Sequence, residues 1–181
     1  MAIRQPTVQQ SFFAFDKINI EISKAICQWI IENNMVKVKH PSLTMFINSD
    51  GGELASAFSI IDVMNSSLIP IHTIGTGEIV SAGLMVFMAG NKGTRTLTPN
   101  TTVMSHRFSA GIENGKFHDL QAQHKEYEML NERMMTHFIN HTGLTKREID
   151  KVLLPPHDVY LSPEKAVEYN IADIIGHIQF S

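Results

Sequence analysis

Three compact apolar runs, each followed by a helix-length stretch, constrain this chain more than anything else in it. SFFAF (residues 11–15) leads into a predicted helix over about residues 20–33, with Ile22, Ile26, Trp29 and Ile30 on one face and Asn19 as a cap. LTMFI (residues 43–47) ends in the turn NSDGG. A second helix is expected over about residues 53–67, burying Leu54, Phe58, Ile61 and Val63 or Met64. IPIHTIG (residues 69–75) then precedes TGEIVSAG and a helix through Met88. This alternation predicts an α/β fold, a sheet with crossover helices. Both glycine-bearing loops follow strands, where ligands of open α/β sheets usually bind.

The second half is more mixed. TRTL and TTVMSH read as short β-rich segments split by the turn TPN, and a long helix is expected over about residues 117–141. TKRE (residues 145–148) is a capping box. In LSPEKAVEYN, Ser162 caps a helix with Pro163 at its first position and Asn170 at its end, and IADIIGHI reads as a last strand. No repeat or linker divides the 181 residues, so a single domain over residues 1–181 is expected.

Composition narrows the function classes. A net charge of −3 gives no reason to expect nucleic acid or an anionic membrane as partner. The longest near-apolar run, IVSAGLMVFMAG, has 12 residues, too few to span a bilayer. MAIRQPTVQQ lacks a signal-peptide core. Cys27 is the only cysteine, which excludes an internal disulfide or a cysteine zinc cluster. A cytoplasmic protein is expected, with no metal and no cofactor.

Ser81 begins an otherwise apolar run, with Gly77 before it and Gly83 after it. It is either a small residue that eases helix packing or a nucleophile exposed at a turn. A nucleophilic serine needs a base, and a base works best when a carboxylate orients it. Nine histidines compete for that role. His137 and His141 are four apart on one helix face but lack the carboxylate of HExxH, so a solvated or interface position is expected, as for His118 and His124. His72 lies within a strand. His106 ends TTVMSH and opens a loop, where scaffolds present working groups. SDGG before a helix is either an oxyanion cradle or a plain tight turn. GTGEIVSAG does not have dinucleotide-loop spacing.

FINSDGG (46–52), GEIVSAG (77–83), AGNKGTRTLTPNTTVMSH (89–106), HTG (141–143) and YLSPEKAVEYNIAD (160–173), in this order, resemble the ClpP family, the proteolytic subunits of caseinolytic chambered serine proteases. The resemblance implies the ClpP/crotonase-like fold, with stacked β-sheets, crossover helices and a protruding handle in about residues 107–142. It implies Ser81 as nucleophile, His106 as base and Asp158 as acid, with Asp150 as the fallback acid. It implies backbone N–H groups of Gly52 and Ala82 as the oxyanion hole. Substrate would lie as an extra strand along Glu53 and Leu54 on one side and Ser109, Ala110 and Gly111 on the other. The implied assembly is a homo-oligomer of two stacked heptameric rings, with a stripe of Met129, Leu130, Met134 and Phe138 packing between them. The implied partners are polypeptide substrates and an AAA+ unfoldase docked near Phe46. Short, divergent relatives of this kind occur in bacteriophages as well as in cells.

Four features depart from the family pattern. Asp50 replaces a proline, Arg107-Phe108 replaces Gln-Pro, LLPPHD (residues 153–158) is longer than usual, and residues 1–10 form a short N-terminal arm. Two alternatives stand beside the peptidase: a latent structural or regulatory ring subunit, and a crotonase-like enzyme acting on acyl-CoA.

Overall fold

The alternation in the sequence becomes a mostly parallel sheet in the computed structural model, which describes residues 10–37, 40–109 and 116–178. Strands β1 (Ser11–Ala14), β2 (Leu43–Ser49) and β3 (Ile71–Val80) lie side by side in parallel, joined by helices α1 (Ile20–Met35) and α2 (Leu54–Ser66). Leu43, Met45 and Ile47 are fully buried at alternate positions of β2, as a strand with one face on the core requires. α1 starts where the Asn19 side chain accepts a hydrogen bond from the Ile22 N–H at 2.9 Å. Ile26 and Ile30 are buried, with Ile22 and Trp29 packed beside them.

The buried face of α2 is Ala57, Ile60, Ile61 and Met64, whereas Leu54, Phe58 and Val63 are only partly buried. The stripe is turned from the expected one because small residues face α1. Ser56 and Ala57 are buried there, and the Ser23 hydroxyl donates to the Ser56 carbonyl at 3.1 Å.

β3 departs most from expectation. It does not stop at Gly75 but continues to Val80 through a bulge. Ile47 pairs with Gly75 and Ser49 with Ile79, so two steps along β2 match four along β3. The Asn48 side chain supports the bulge by accepting the Glu78 N–H at 3.1 Å, and Gly77 takes a φ of 62° beside it. The sheet forks here. Ile74 and Gly75 pair with β4 (Thr96–Leu97), while Glu78, Ile79 and Val80 pair with β5 (Thr102–Ser105). β4 pairs in turn with β7 (Ile174–Ile175). β5 pairs antiparallel with β6 (Val159–Leu161), a three-residue strand that the sequence did not announce.

The other helices are α3 (Ala82–Met88), α4 (Phe117–Thr142), α5 (Lys146–Val152) and α6 (Pro163–Glu168). All seven residues of α3 are buried. The caps expected at Thr145 and Ser162 are present. Along α4 the buried residues are confined to Met134 and beyond. Met134 and Phe138 therefore belong to the chain's own core, while Met129 is 44% exposed, so the expected inter-ring stripe is divided.

Two buried polar groups hold this frame. The Arg95 guanidinium, 1% exposed, donates to both Asp173 oxygens at 2.8 and 2.7 Å, joining the start of β4 to the approach to β7. Burial pushes the Asp173 carboxyl up, but the Arg95 hydrogen bonds and charge, with the Gly93 N–H, hold it below its ordinary value. The second group is His137, expected at a solvated or interface position but buried within the chain. Its Nε2–H donates to the Met85 carbonyl at 2.9 Å, pinning α4 to α3, and its ring lies 4.1 Å from that of His141. Burial, then the neighbouring His141 and Arg95, lower its pKa to about 3.

This neutral histidine makes stability depend on pH. The unfolded chain takes up a proton at residue 137 below the ordinary value of 6.5, and the folded chain refuses it until about 3. Its contribution should be complete above pH 6.5 and fall by up to about 1.4 kcal/mol per pH unit toward pH 3. Urea titrations across pH 7 to 5 should show the slope of stability against pH reduced by about one proton in His137→Gln, which keeps a side-chain N–H. An unchanged slope would rule out this role for His137.

Candidate active site

The ends of β3 and β5 bring Ser81 and His106 together. The Ser81 N–H donates to the Met104 carbonyl at 3.0 Å, so sheet pairing runs up to this residue, and α3 starts at the next one. A single residue must make the whole strand-to-helix turn. Ser81 does so at φ 53° and ψ −119°, a conformation that favours glycine and costs a serine about 1–3 kcal/mol. The turn sets the hydroxyl at the end of the sheet, where a sharp elbow exposes a nucleophile. Of the two sequence readings of Ser81, packing does not explain a strained serine where glycine would do.

His106 is the first residue beyond β5, and its Nε2 lies 2.6 Å from Ser81 Oγ. With the serine O–H donating to Nε2, the ring proton sits on Nδ1, the tautomer a general base needs.

The SDGG turn closes against this pair. A Cβ on Gly51 would lie 2.7 Å from that of Ser81, and one on Gly52 would overlap the Ile18 carbonyl. φ values of 101° and 140° reinforce the demand for glycine at both positions. Ile18 donates its N–H to the Gly51 carbonyl at 2.7 Å and accepts the Glu53 N–H at 2.8 Å. These bonds straddle Gly52 and leave its N–H outside the pairing. The Ala82 N–H, at the first position of α3, has no intrahelical acceptor. Asp50, in place of the family's proline, faces Lys17 at 3.7 Å across exposed surface.

Gly52, Ser81 and His106 border a cavity of about 210 Å3, with Leu54, Leu84, Met85, Met134 and Phe138 forming apolar walls. Glu53 and Ser109 also line it, whereas Ala110 and Gly111 lie outside the described residues. Both backbone groups of Glu53 are engaged within the fold, the N–H by Ile18 and the carbonyl by the Ala57 N–H at 3.0 Å. Among the described residues no cluster of histidine, cysteine, aspartate or glutamate could hold a metal.

Asp158 has the right address without the contact. The antiparallel pairs Val103 with Leu161, Met104 with Tyr160 and Ser105 with Val159 place Asp158 opposite His106 one step further on. Its side chain is nevertheless exposed, and among the described residues no hydrogen bond joins it to His106. Asp150 borders a different groove, with Arg107 and Leu154.

Three neighbours of His106 make contacts that the sequence does not show. The Arg107 Nε–H donates to the Leu154 carbonyl at 2.7 Å. Phe108 meets Tyr127 of α4 edge to face, with centroids 5.4 Å apart. The Ser105 hydroxyl is buried without a partner among the described residues. Arg107 and Phe108 stand out in the sequence only as a departure from the resembled pattern, and Ser105 only by its place beside His106.

A family profile described as Clp protease matches residues 6–179. The ATP-dependent Clp protease proteolytic subunit of Deinococcus radiodurans is 34% identical over 131 residues, which are 72% of this chain and 63% of that one. Proteolytic subunit 3 of Rhizobium meliloti is 29% identical over 92% of this chain and 83% of that one. The corresponding subunit of Rhizobium johnstonii is 30% identical over the same shares. A solved structure of a ClpP1 mutant from Listeria monocytogenes has a TM-score of 0.83 at 24% identity, covering 94% of this chain and 93% of that one, and so shares its fold.

The strain at Ser81 is directly measurable. Ser81→Gly should be more stable than Ser81→Ala by about 1–3 kcal/mol in urea unfolding, because only glycine accepts φ 53° without cost. Equal stabilities would mean that the turn relaxes when the hydroxyl is removed.

Proposed function

The chain belongs to the Clp protease family, a family of serine peptidases, and we propose that it cleaves peptide bonds with Ser81 as nucleophile, His106 as general base and Asp158 as the acid that orients His106. The observation that carries this reading is the 2.6 Å approach of His106 Nε2 to the hydroxyl of a strained strand-to-helix turn. His106 takes the serine proton as Oγ attacks the peptide carbonyl. In this reading the N–H groups of Gly52 and Ala82 hold the oxyanion so formed. His106 then gives the proton to the leaving amine. Water, deprotonated by the same ring, releases the acyl group and regenerates the hydroxyl.

The cavity favours this chemistry over thioester chemistry, since its apolar walls suit a side chain beside a scissile bond. In this reading an extended polypeptide lies beside Leu54 and Ser109, held through its backbone and hence with broad sequence tolerance. Glu53 contributes its side chain alone, because its backbone groups are engaged.

The names of the relatives, proteolytic subunits of ATP-dependent proteases, support an oligomeric protease that works with an ATPase. In this reading the assembly is a homo-oligomeric chamber of two stacked heptameric rings in the cytoplasm, fed by an AAA+ unfoldase. An exposed aromatic group suits the docking of that partner: Phe13, 58% exposed, stacks on Phe46 at 5.1 Å and meets Phe15 edge to face. No helix of the described residues is long and apolar enough to cross a membrane. Residues 1–181 act as one peptidase domain, with α4 as its handle. A latent ring subunit is the second reading, and the exposed Asp158 side chain favours it.

A fluorophosphonate probe separates the two. The peptidase reading expects one stoichiometric adduct at Ser81, absent in His106→Ala and after heat denaturation. Alanine at Ser81 should lower kcat by about a million-fold, and Asp158→Asn by about ten-thousand-fold. Absence of an adduct in assembled rings would establish the latent subunit instead.

A further inference from the structure

We propose that Arg107 is a positioning residue for the catalytic acid: its guanidinium fastens the segment carrying Asp158 to the loop carrying His106. The inference rests on the reading of Asp158 as the acid.

β5 and β6 are joined by only three register pairs, the last being Ser105 with Val159. Beyond that pair the two chains lose their ladder. On the β6 side the preceding residues are Pro155, Pro156 and His157, and a proline has no N–H to offer. Pro156, His157 and Asp158 are all exposed, so packing does not hold them either. Leu153 and Leu154, by contrast, are buried at 0% and 1% exposure and anchor the near end of the segment in the core.

Between this segment and the loop that follows β5, one hydrogen bond crosses among the described residues. It is the bond from Arg107 Nε–H to the Leu154 carbonyl, at 2.7 Å. A charged donor on an anchored carbonyl is a stronger tie than a neutral pair. Its position matters as much as its strength. Arg107 is covalently next to His106, and Leu154 lies four residues before Asp158. The bond therefore closes a small frame: His106, Arg107, Leu154, Asp158 and back across the extended β5–β6 register. That frame sets Asp158 across from His106, on the continued β5–β6 register. Without it, the loop carrying His106 and Arg107 loses its tie to the anchored end of the segment that leads to Asp158. The two departures from the family pattern, the arginine after the histidine and the long segment before the acid, thus meet in one bond.

Arg107 also borders the cavity at Ser81, so contact with substrate is the rival explanation. Steady-state kinetics on an unstructured fluorogenic peptide should be measured for the assembled wild type, Arg107→Ala, Arg107→Lys, Asp158→Asn and the Arg107→Ala/Asp158→Asn double variant. Assembly and circular dichroism serve as controls. A positioning role expects Arg107→Ala to lower kcat about tenfold to a hundredfold with KM unchanged. It also expects Arg107→Lys to recover part of the loss, and Arg107→Ala to add nothing once Asp158 is asparagine. If Arg107→Ala does not assemble, Arg107→Gln gives the same comparison. A raised KM with losses that multiply in the double variant would overturn the proposal in favour of substrate contact, and wild-type kcat in Arg107→Ala would overturn it outright. Full activity in Asp158→Asn beside an inactive Ser81→Ala would show instead that the acid assignment had failed, and the proposal with it.

Discussion

The backbone of Ser81, held at φ 53°, is the constraint on which the rest of the structure depends. A serine abandons that conformation unless its surroundings over-determine it. Here three elements do so. β5 accepts the Ser81 N–H through Met104, α3 begins at the next peptide with all seven residues buried, and Gly51 packs against Ser81 too closely for any side chain. The bulge in β3 belongs to the same solution. By adding two residues opposite β2 it frees the far half of β3 to pair with β5, which delivers His106 beside the turn.

Support for α3 comes from outside the site. Strain at the start of a short helix is tolerable only if the helix cannot shift. His137 reaches from α4 to the Met85 carbonyl, one turn into α3, and stays a neutral donor down to about pH 3. Arg95 and Asp173 tie the other edge of the sheet, joining β4 to the chain's last strand. Buried polar groups of this kind add little net stability, but each is costly to break, so they oppose alternative packings.

What was legible beforehand follows from how local each signal is. Strand, turn and helix around Ser81 could be read because glycine, serine and apolar runs mark them within a dozen residues. His106 stood out for its place at a strand end. The face of α2 was misjudged because bulky residues were assumed to point inward, whereas Ser56 and Ala57 are small enough to admit α1. β3 seemed to end at Gly75 because glycines read as loop, and only the Asn48 side chain, 30 positions from its Glu78 partner, reveals a bulge instead. His137 appeared solvated or at an interface because α4 is polar on average, although its last turns enter the core. Arg107 stands out in the sequence as a departure, but its contact does not, since its partner lies 47 residues away.

Asp158 shows the difference between an address and a contact. Register is set by backbone pairing, so the antiparallel β5–β6 ladder places residue 158 across from residue 106 whatever their side chains. Contact between carboxylate and imidazole requires in addition that the chain on either side of the ladder be held, and two prolines remove the usual means. A longer segment with no ladder of its own needs a tie from elsewhere. A guanidinium reaching from the residue after the base to a buried carbonyl supplies one at low cost, because Leu154 is already fixed by the core. In the proposed role, Arg107 and the Pro155-Pro156 segment before Asp158 meet in one bond, from the Nε–H to the Leu154 carbonyl.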